Sequence, residues 1–306
     1  MSKSFTEYLD SQDTVIFAGA MGTELQRRGY QTKLPLWSAS ANEDAPELVY
    51  QIHADYFSAG ADTCITNTFR TTPRAYAKVG RQHDAHDALK KSVALARKAQ
   101  QEVSDRPVFL GGSFTTLEDC YRPDLMPSPQ ELDDEHGQLA SWLAAEGVDF
   151  LIPETINSLP EAVAMARAAS ATNIPFIISF VTTPEGKLLD GSPLTEVIEA
   201  TDIKGRVAVF LNCRPIDILD QSVPVLCSVY AGIKGLYPNG IGHPDDDLGW
   251  IFENNNDSIG KFVKACDTWH QAGIKILGGC CGTTPDYIQA LSRHFRQTNT
   301  LAKKSA

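Results

Sequence analysis

Eight short apolar runs, spread along the whole chain with helical stretches between them, constrain its fold more than any other feature. They cover residues 14–18, 63–69, 108–111, 150–154, 175–181, 207–213, 225–230 and 275–278. Strands that alternate with helices pair in parallel, and a parallel sheet is buried on both faces, so its strands read as unbroken apolar runs. Segments 46–59, 84–103, 129–145, 159–169 and 194–200 read as helices. In the first, Leu48, Val49, Ile52 and Phe57 share one side and Gly60 stops it. Such units predict a (β/α)8 barrel, with a doubly wound open sheet as the alternative. No linker or low-complexity tract divides the chain, so residues 1–306 read as one domain. The longest irregular stretch is 237–256, where Asp245-Asp246-Asp247 reads as a solvated turn.

In such a barrel the C-terminal strand ends face the active site. Cys213, Cys280, Cys281, Glu154, Asn212 and Thr68 all fall there. Cys280 and Cys281 sit inside Leu277-Gly278-Gly279-Cys280-Cys281-Gly282-Thr283-Thr284-Pro285. Adjacent cysteines on a regular strand point to opposite faces, so both sulfurs meet one point only if the glycines let the chain turn. Pro285 suits a first helical turn and Thr283 or Thr284 a cap, which places the thiols where a strand hands over to a helix. Free backbone N–H groups there favour thiolates. The run at 207–213 ends in Asn212-Cys213 and is stopped by Arg214-Pro215. A single cysteine at a strand end is ordinarily a small buried hydrophobe. Joined to the glycine-framed pair, Cys213 completes three thiolates, and three thiolates with one open position are the pattern of a catalytic zinc site.

Together these residues resemble the homocysteine S-methyltransferases. The resemblance extends to Gly19-Ala20-Met21-Gly22-Thr23-Glu24-Leu25, Asp62-Thr63-Cys64-Ile65-Thr66-Asn67-Thr68-Phe69, Glu154-Thr155, Leu188-Leu189-Asp190-Gly191-Ser192-Pro193-Leu194 and Tyr237-Pro238-Asn239. It implies a barrel enzyme in which Cys213, Cys280 and Cys281 act through Zn2+, and L-homocysteine accepts a methyl group to give methionine. It also implies substrate contacts from Glu154, to the amino group, and from Gly19, Thr68 and Asn212. The folate- and cobalamin-dependent relatives carry further domains. A chain of this size therefore points to a small onium donor: S-methylmethionine, S-adenosylmethionine or betaine. Trp37, Phe69, Tyr121 and Tyr237 are candidates for lining a donor pocket. One position departs from the family. Its opening motif begins with an aspartate that helps hold the acceptor's ammonium group, and this chain has Ala18 there. Losing a charge-assisted hydrogen bond costs roughly 1.5–3 kcal/mol, so the acceptor is either homocysteine held by Glu154 alone or another thiol or selenol.

A formal charge of −11 argues against a nucleic-acid partner. The polar start MSKSFTEYLDSQDT has no signal-peptide core, and no run approaches the roughly 18 apolar residues of a membrane span, so a cytoplasmic enzyme is expected. Seven cysteines without a secreted-domain spacing fit reduced thiols. The expected partners are a small thiol acceptor and a methyl donor, with no membrane. Oligomeric state is not legible, because helix faces and subunit contacts look alike in sequence. Two other readings of the cysteines stand beside the enzyme: a closed structural zinc site with Cys227, Cys266 or His243 as fourth ligand, and a redox protein using a Cys280–Cys281 disulfide.

Overall fold

Side-chain alternation along the strands divides the apolar residues between two cores. The computed structural model describes residues 3–245, 249–253 and 256–304. Eight strands form one parallel sheet: β1 Val15–Ile16, β2 Thr63–Ile65, β3 Phe109–Thr115, β4 Phe150–Glu154, β5 Phe176–Phe180, β6 Arg206–Asn212, β7 Lys234–Tyr237 and β10 Ile276–Leu277. Between the last two, β8 Gly242–Asp245 and β9 Gly249–Phe252 make a separate antiparallel hairpin. Val15, Phe17, Phe150, Ile152, Ile177, Ala208, Phe210 and Ile276 point inward and fill the centre of the sheet. Their neighbours Ile16, Leu151, Ile178, Val209, Leu211 and Leu277 point outward, against the helices.

The sheet runs β1-β10-β7-β6-β5-β4-β3-β2. Its two ends then meet. Phe17 bridges Thr63 in parallel, the Ala18 N–H donates to the Thr63 carbonyl at 2.9 Å, and the Asp62 N–H donates to the Ile16 carbonyl at 2.7 Å. The closure is therefore the barrel and not the open sheet.

The polar-looking N-terminus hides a structural element. Ser4 and Glu7 form a capping box that starts the helix Phe5–Ser11. Phe5, Tyr8 and Leu9 share its buried side, and Phe5 stacks on Phe150 at 4.0 Å between ring centroids. The helix thus packs into the inner core.

The seventh strand lies elsewhere than the sequence suggests. Residues 225–229 belong to the helix Ile216–Val229, and β7 starts at Lys234. Leu219, Val223 and Leu226 recur at helical spacing and are buried, which outweighs the β-branched composition. Lys234 disguises the true strand: its ammonium group is satisfied by the Tyr230 and Gly232 carbonyls, so a charged residue can open a buried strand. The stretch 237–256, expected to be irregular, contains the β8–β9 hairpin. Asp246 and Asp247 of the acidic run lie outside the described residues. Among the described residues no helix is long and apolar enough to cross a membrane.

Replacing Phe150 by Ala should open a cavity at the centre of the barrel and lower stability by about 3–5 kcal/mol in urea unfolding. A loss under 1 kcal/mol would show that this ring does not carry the inner core.

Candidate metal centre

Three loops at the C-terminal ends of the barrel strands bring the chemistry together. Cys213 follows β6 with φ 53°, a left-handed conformation that turns the chain away from the strand. Its N–H donates to the Tyr237 carbonyl at 3.1 Å. Cys280 and Cys281 follow β10, and their loop is pinned on both sides. The Gly278 N–H donates to the Leu236 carbonyl at 3.0 Å, the Gly279 N–H to Ala18 at 3.1 Å and the Cys280 N–H to Pro238 at 2.7 Å. The Thr283 hydroxyl donates to the Cys280 carbonyl at 2.7 Å. A Cβ at position 279 would meet that hydroxyl oxygen at 2.4 Å, so only glycine lets the turn close.

The three sulfurs all lie within 4.8 Å of one another, and Cys213 and Cys281 are 3.8 Å apart. Thiolates about 2.3 Å from a tetrahedral ion are spaced at about 3.8 Å, so the cluster has the spacing a zinc ion needs. Among the described residues, no fourth Cys, His, Asp or Glu ligand atom joins the group. Cys266 is fully buried on the helix Asn256–Gln271, the Cys227 thiol faces the Ala272 carbonyl, and His243 pairs with Glu253 on the hairpin. The fourth position is therefore left to something other than these side chains. Hydrogen bonds from Cys280 and Cys281, then one from Tyr121, hold the Cys213 thiol well below its ordinary pKa against the effect of burial. Hydrogen bonding to Cys213 pushes the other two thiols up. Three like charges this close disfavour one another, and a cation would offset that.

Glu154, at the end of β4, is 7% exposed. It accepts hydrogen bonds from the Ser113 hydroxyl and, at 2.9 Å, from the Tyr237 hydroxyl. Burial lifts its pKa to about 7 although both hydrogen bonds lower it. Thr68 donates to the Ser113 carbonyl at 2.6 Å and so stands one residue behind the carboxylate. Asn212 is fully buried. Its Oδ1 accepts from the Thr155 N–H at 3.2 Å and the Ser179 hydroxyl at 2.7 Å, and its Nδ2 donates to the Thr155 hydroxyl at 2.8 Å. Thr155, like Cys213, has a positive φ, of 58°. One amide thus ties together the two strained positions that follow Glu154 and Asn212. Gly19 sits where a Cβ would meet the Tyr56 hydroxyl at 2.7 Å and the Thr283 hydroxyl at 2.8 Å.

Of the four aromatic candidates, Tyr237 is buried against Phe210 and serves Glu154, while Trp37 covers Gly22 and Phe69 lies beneath the Arg70 guanidinium. Tyr121 places its hydroxyl 3.1 Å from the Cys213 sulfur. The hydrogen-bonding roles of Ser113, Ser179 and Thr155 escape the sequence reading. Ser113 and Ser179 carry a usable signal, a hydroxyl inside an apolar barrel strand, and Thr155 stands in the Glu154-Thr155 motif with no role assigned.

The homocysteine S-methyltransferase family profile matches residues 15–295. A homocysteine S-methyltransferase of Bacillus subtilis is 29% identical, over 95% of this chain and 98% of that protein. The selenocysteine methyltransferase of Astragalus bisulcatus is 30% identical, over 90% of each chain. The crystal structure of an Escherichia coli homocysteine methyltransferase in its metallated form superposes with a TM-score of 0.82 at 29% identity, covering 94% of this chain and 98% of that one.

A carboxyl group whose pKa rises on folding favours the folded state at low pH and loses that advantage as pH rises. For Glu154 the window runs from the ordinary glutamate value of 4.5 to about 7, and the cost is on the order of 3 kcal/mol. Glu154→Gln should therefore flatten the fall in stability between pH 5 and pH 8 relative to the parent protein, measured by urea unfolding without substrate. Parallel pH profiles would contradict the buried-charge account.

Proposed function

The chain belongs to the homocysteine S-methyltransferase family, and we propose that it moves a methyl group from a small onium donor to the thiol of homocysteine or a close thiol or selenol analogue. Zinc is the metal of this reading, with Cys213, Cys280 and Cys281 as its ligands. The observation that carries it is the cluster of three sulfurs within 4.8 Å of one another, with no fourth protein ligand among the described residues. The chemistry of the donors agrees, since soft thiolates suit zinc.

A free alkyl thiol is only a few per cent ionised at pH 7. Bound at the open position, zinc would lower the thiol's pKa. The protein's own residues then position. Glu154 offers a carboxylate to the acceptor's ammonium group, fixed by Ser113 and Tyr237. An incoming cation also relieves the burial that raises the Glu154 pKa, so binding and ionisation support each other. The acceptor sulfur forms a bond to the methyl carbon as the donor's carbon–sulfur or carbon–nitrogen bond breaks, and the electron pair of that bond leaves with the neutral product. The thiol proton departs before transfer, so no general base is needed at the methyl group. Holding the two reactants in line is the main contribution of the fold. S-Methylmethionine and S-adenosylmethionine are the donors favoured here.

Ala18 favours attention to a second acceptor class. Its side chain supplies no charge beside Gly19, and the relative from Astragalus is named for a selenol substrate. A selenol ionises more readily than a thiol and depends less on tight recognition of its ammonium group.

Zinc-replete protein should form methionine from L-homocysteine and S-methylmethionine. A chelator or Cys280→Ser should abolish turnover while leaving the folded content unchanged by circular dichroism. Sustained turnover by metal-free protein would refute the zinc reading. Ala18→Asp should lower the KM for homocysteine roughly tenfold, the worth of one charge-assisted hydrogen bond. An unchanged or higher KM would show that the missing carboxylate does not limit acceptor recognition.

A further inference from the structure

Tyr121 reaches the metal cluster from a different part of the barrel than any of the cysteines. It lies in the loop after β3, and its ring is 46% exposed. An exposed aromatic on a loop ordinarily has no fixed position, yet this loop is tied down along its length. The Leu117 N–H donates to Oε1 of the buried Glu161 at 2.8 Å, and the His136 Nε2 lies 3.1 Å from the same oxygen. Arg70 donates to the Glu118 carbonyl at 2.8 Å, and the Tyr121 N–H itself donates to the Asp119 carboxylate at 2.8 Å. The result is a phenol hydroxyl 3.1 Å from the Cys213 sulfur and 3.2 Å from the Cys213 carbonyl oxygen.

A hydroxyl has one proton and must favour one acceptor. When the sulfur carries a thiolate charge, the charge-assisted bond is the stronger of the two. We propose that Tyr121 is a positioning residue that donates a hydrogen bond to the Cys213 thiolate and thereby tunes how much charge this ligand gives the metal. The proposal rests on the zinc reading above. A hydrogen bond withdraws electron density from a ligating sulfur, as partners just outside a metal's ligand shell do generally. With Tyr121 in place, the metal keeps more positive charge and holds an anionic acceptor more tightly. Without it, the three sulfurs give more charge, the acceptor is held less tightly, and its sulfur is a better nucleophile once bound. The ligand set is thus asymmetric. Among the described residues, Cys280 and Cys281 have no comparable hydroxyl, and Cys213 alone is tuned.

The test uses the full-length protein loaded with Co2+, whose thiolate-to-metal charge-transfer band reports sulfur donation directly. Tyr121→Phe should move that band to lower energy. It should also raise the acceptor KM at pH 7 roughly threefold to tenfold with kcat unchanged or higher, the effect of losing one hydrogen bond to a charged group. Replacing Tyr121 by 3-fluorotyrosine, a stronger donor of the same shape, should move the band the opposite way and decides the matter should the Phe variant fold poorly. A clamp that merely holds the backbone of Cys213 would leave the band in place in both variants, and that result overturns the proposal while sparing the metal site. Absence of any thiolate band in the cobalt-loaded parent protein would instead overturn the metal site and this proposal with it.

Discussion

Three thiolates repel one another, and the top of this barrel is built around making them meet. Hydrogen bonds from the other two thiols favour charge on the Cys213 sulfur and disfavour it on Cys280 and Cys281. The rest of the architecture supplies the convergence. Cys213 and the Cys280–Cys281 pair are remote in sequence, but β6 and β10 both flank β7, so their ends emerge on either side of one strand. β1 fixes the other side of β10, because Ala18, just beyond β1, holds Gly279. Closure onto β2 in turn holds Ala18 through the Thr63 carbonyl. The barrel thus supports the loop that carries Cys280 and Cys281.

The same region stores unfavourable energy. Cys213 and Thr155 both adopt positive φ without being glycine, at a cost of order 1 kcal/mol or more each. Glu154 is a carboxyl group buried with two hydroxyl partners and, among the described residues, no cation paired with it. Asn212 limits the damage. By filling its amide with Thr155 and Ser179 it locks both strained turns at once, and it does so from the residue next to a proposed metal ligand. Its position at a strand end is thus explained by the geometry it enforces on Cys213 and on the turn after Glu154.

Much of this was legible in the residues, and the reasons differ from case to case. Seven of the eight apolar runs gave strands of the sheet, since strands buried on both faces leave little choice of sequence. Cys280 and Cys281 were legible because adjacent thiols between glycines have few structural uses. The seventh strand was not, because Lys234 hides its start and the Val-rich end of the helix Ile216–Val229 imitates a strand. The N-terminal helix was overlooked for the opposite reason: three apolar residues within a polar segment are too few to register until the barrel gives them an inner core to enter. The hydroxyls of Ser113 and Ser179 stand out within apolar strands, but their partners, and those of Thr155, lie on other strands and no local pattern encodes them. Tyr121 was visible only as one aromatic among several; its contact with Cys213 depends on a loop whose course is set by Arg70, His136 and Glu161.

Glu154 and Ala18 together define what kind of recognition this pocket can perform. The family resemblance implies two carboxylates on the acceptor's ammonium group; with Ala18 in place of the aspartate, the proposed function leaves Glu154, whose pKa burial lifts to about 7. A lone carboxylate that is only partly ionised at neutral pH binds an ammonium group by drawing out its own proton first. Part of the Coulomb attraction is spent on that step, so affinity for the amino end of the acceptor is weaker than two ionised partners would give. The metal end does not share this weakness, because three thiolates and a cation select for soft, ionisable sulfur or selenium whatever the rest of the molecule carries. Selectivity in such a site shifts from the amino acid moiety toward the nucleophilic atom. On the proposed function, a chain with Ala18 can therefore keep the transfer chemistry while accepting a broader set of thiols and selenols than one with an aspartate there.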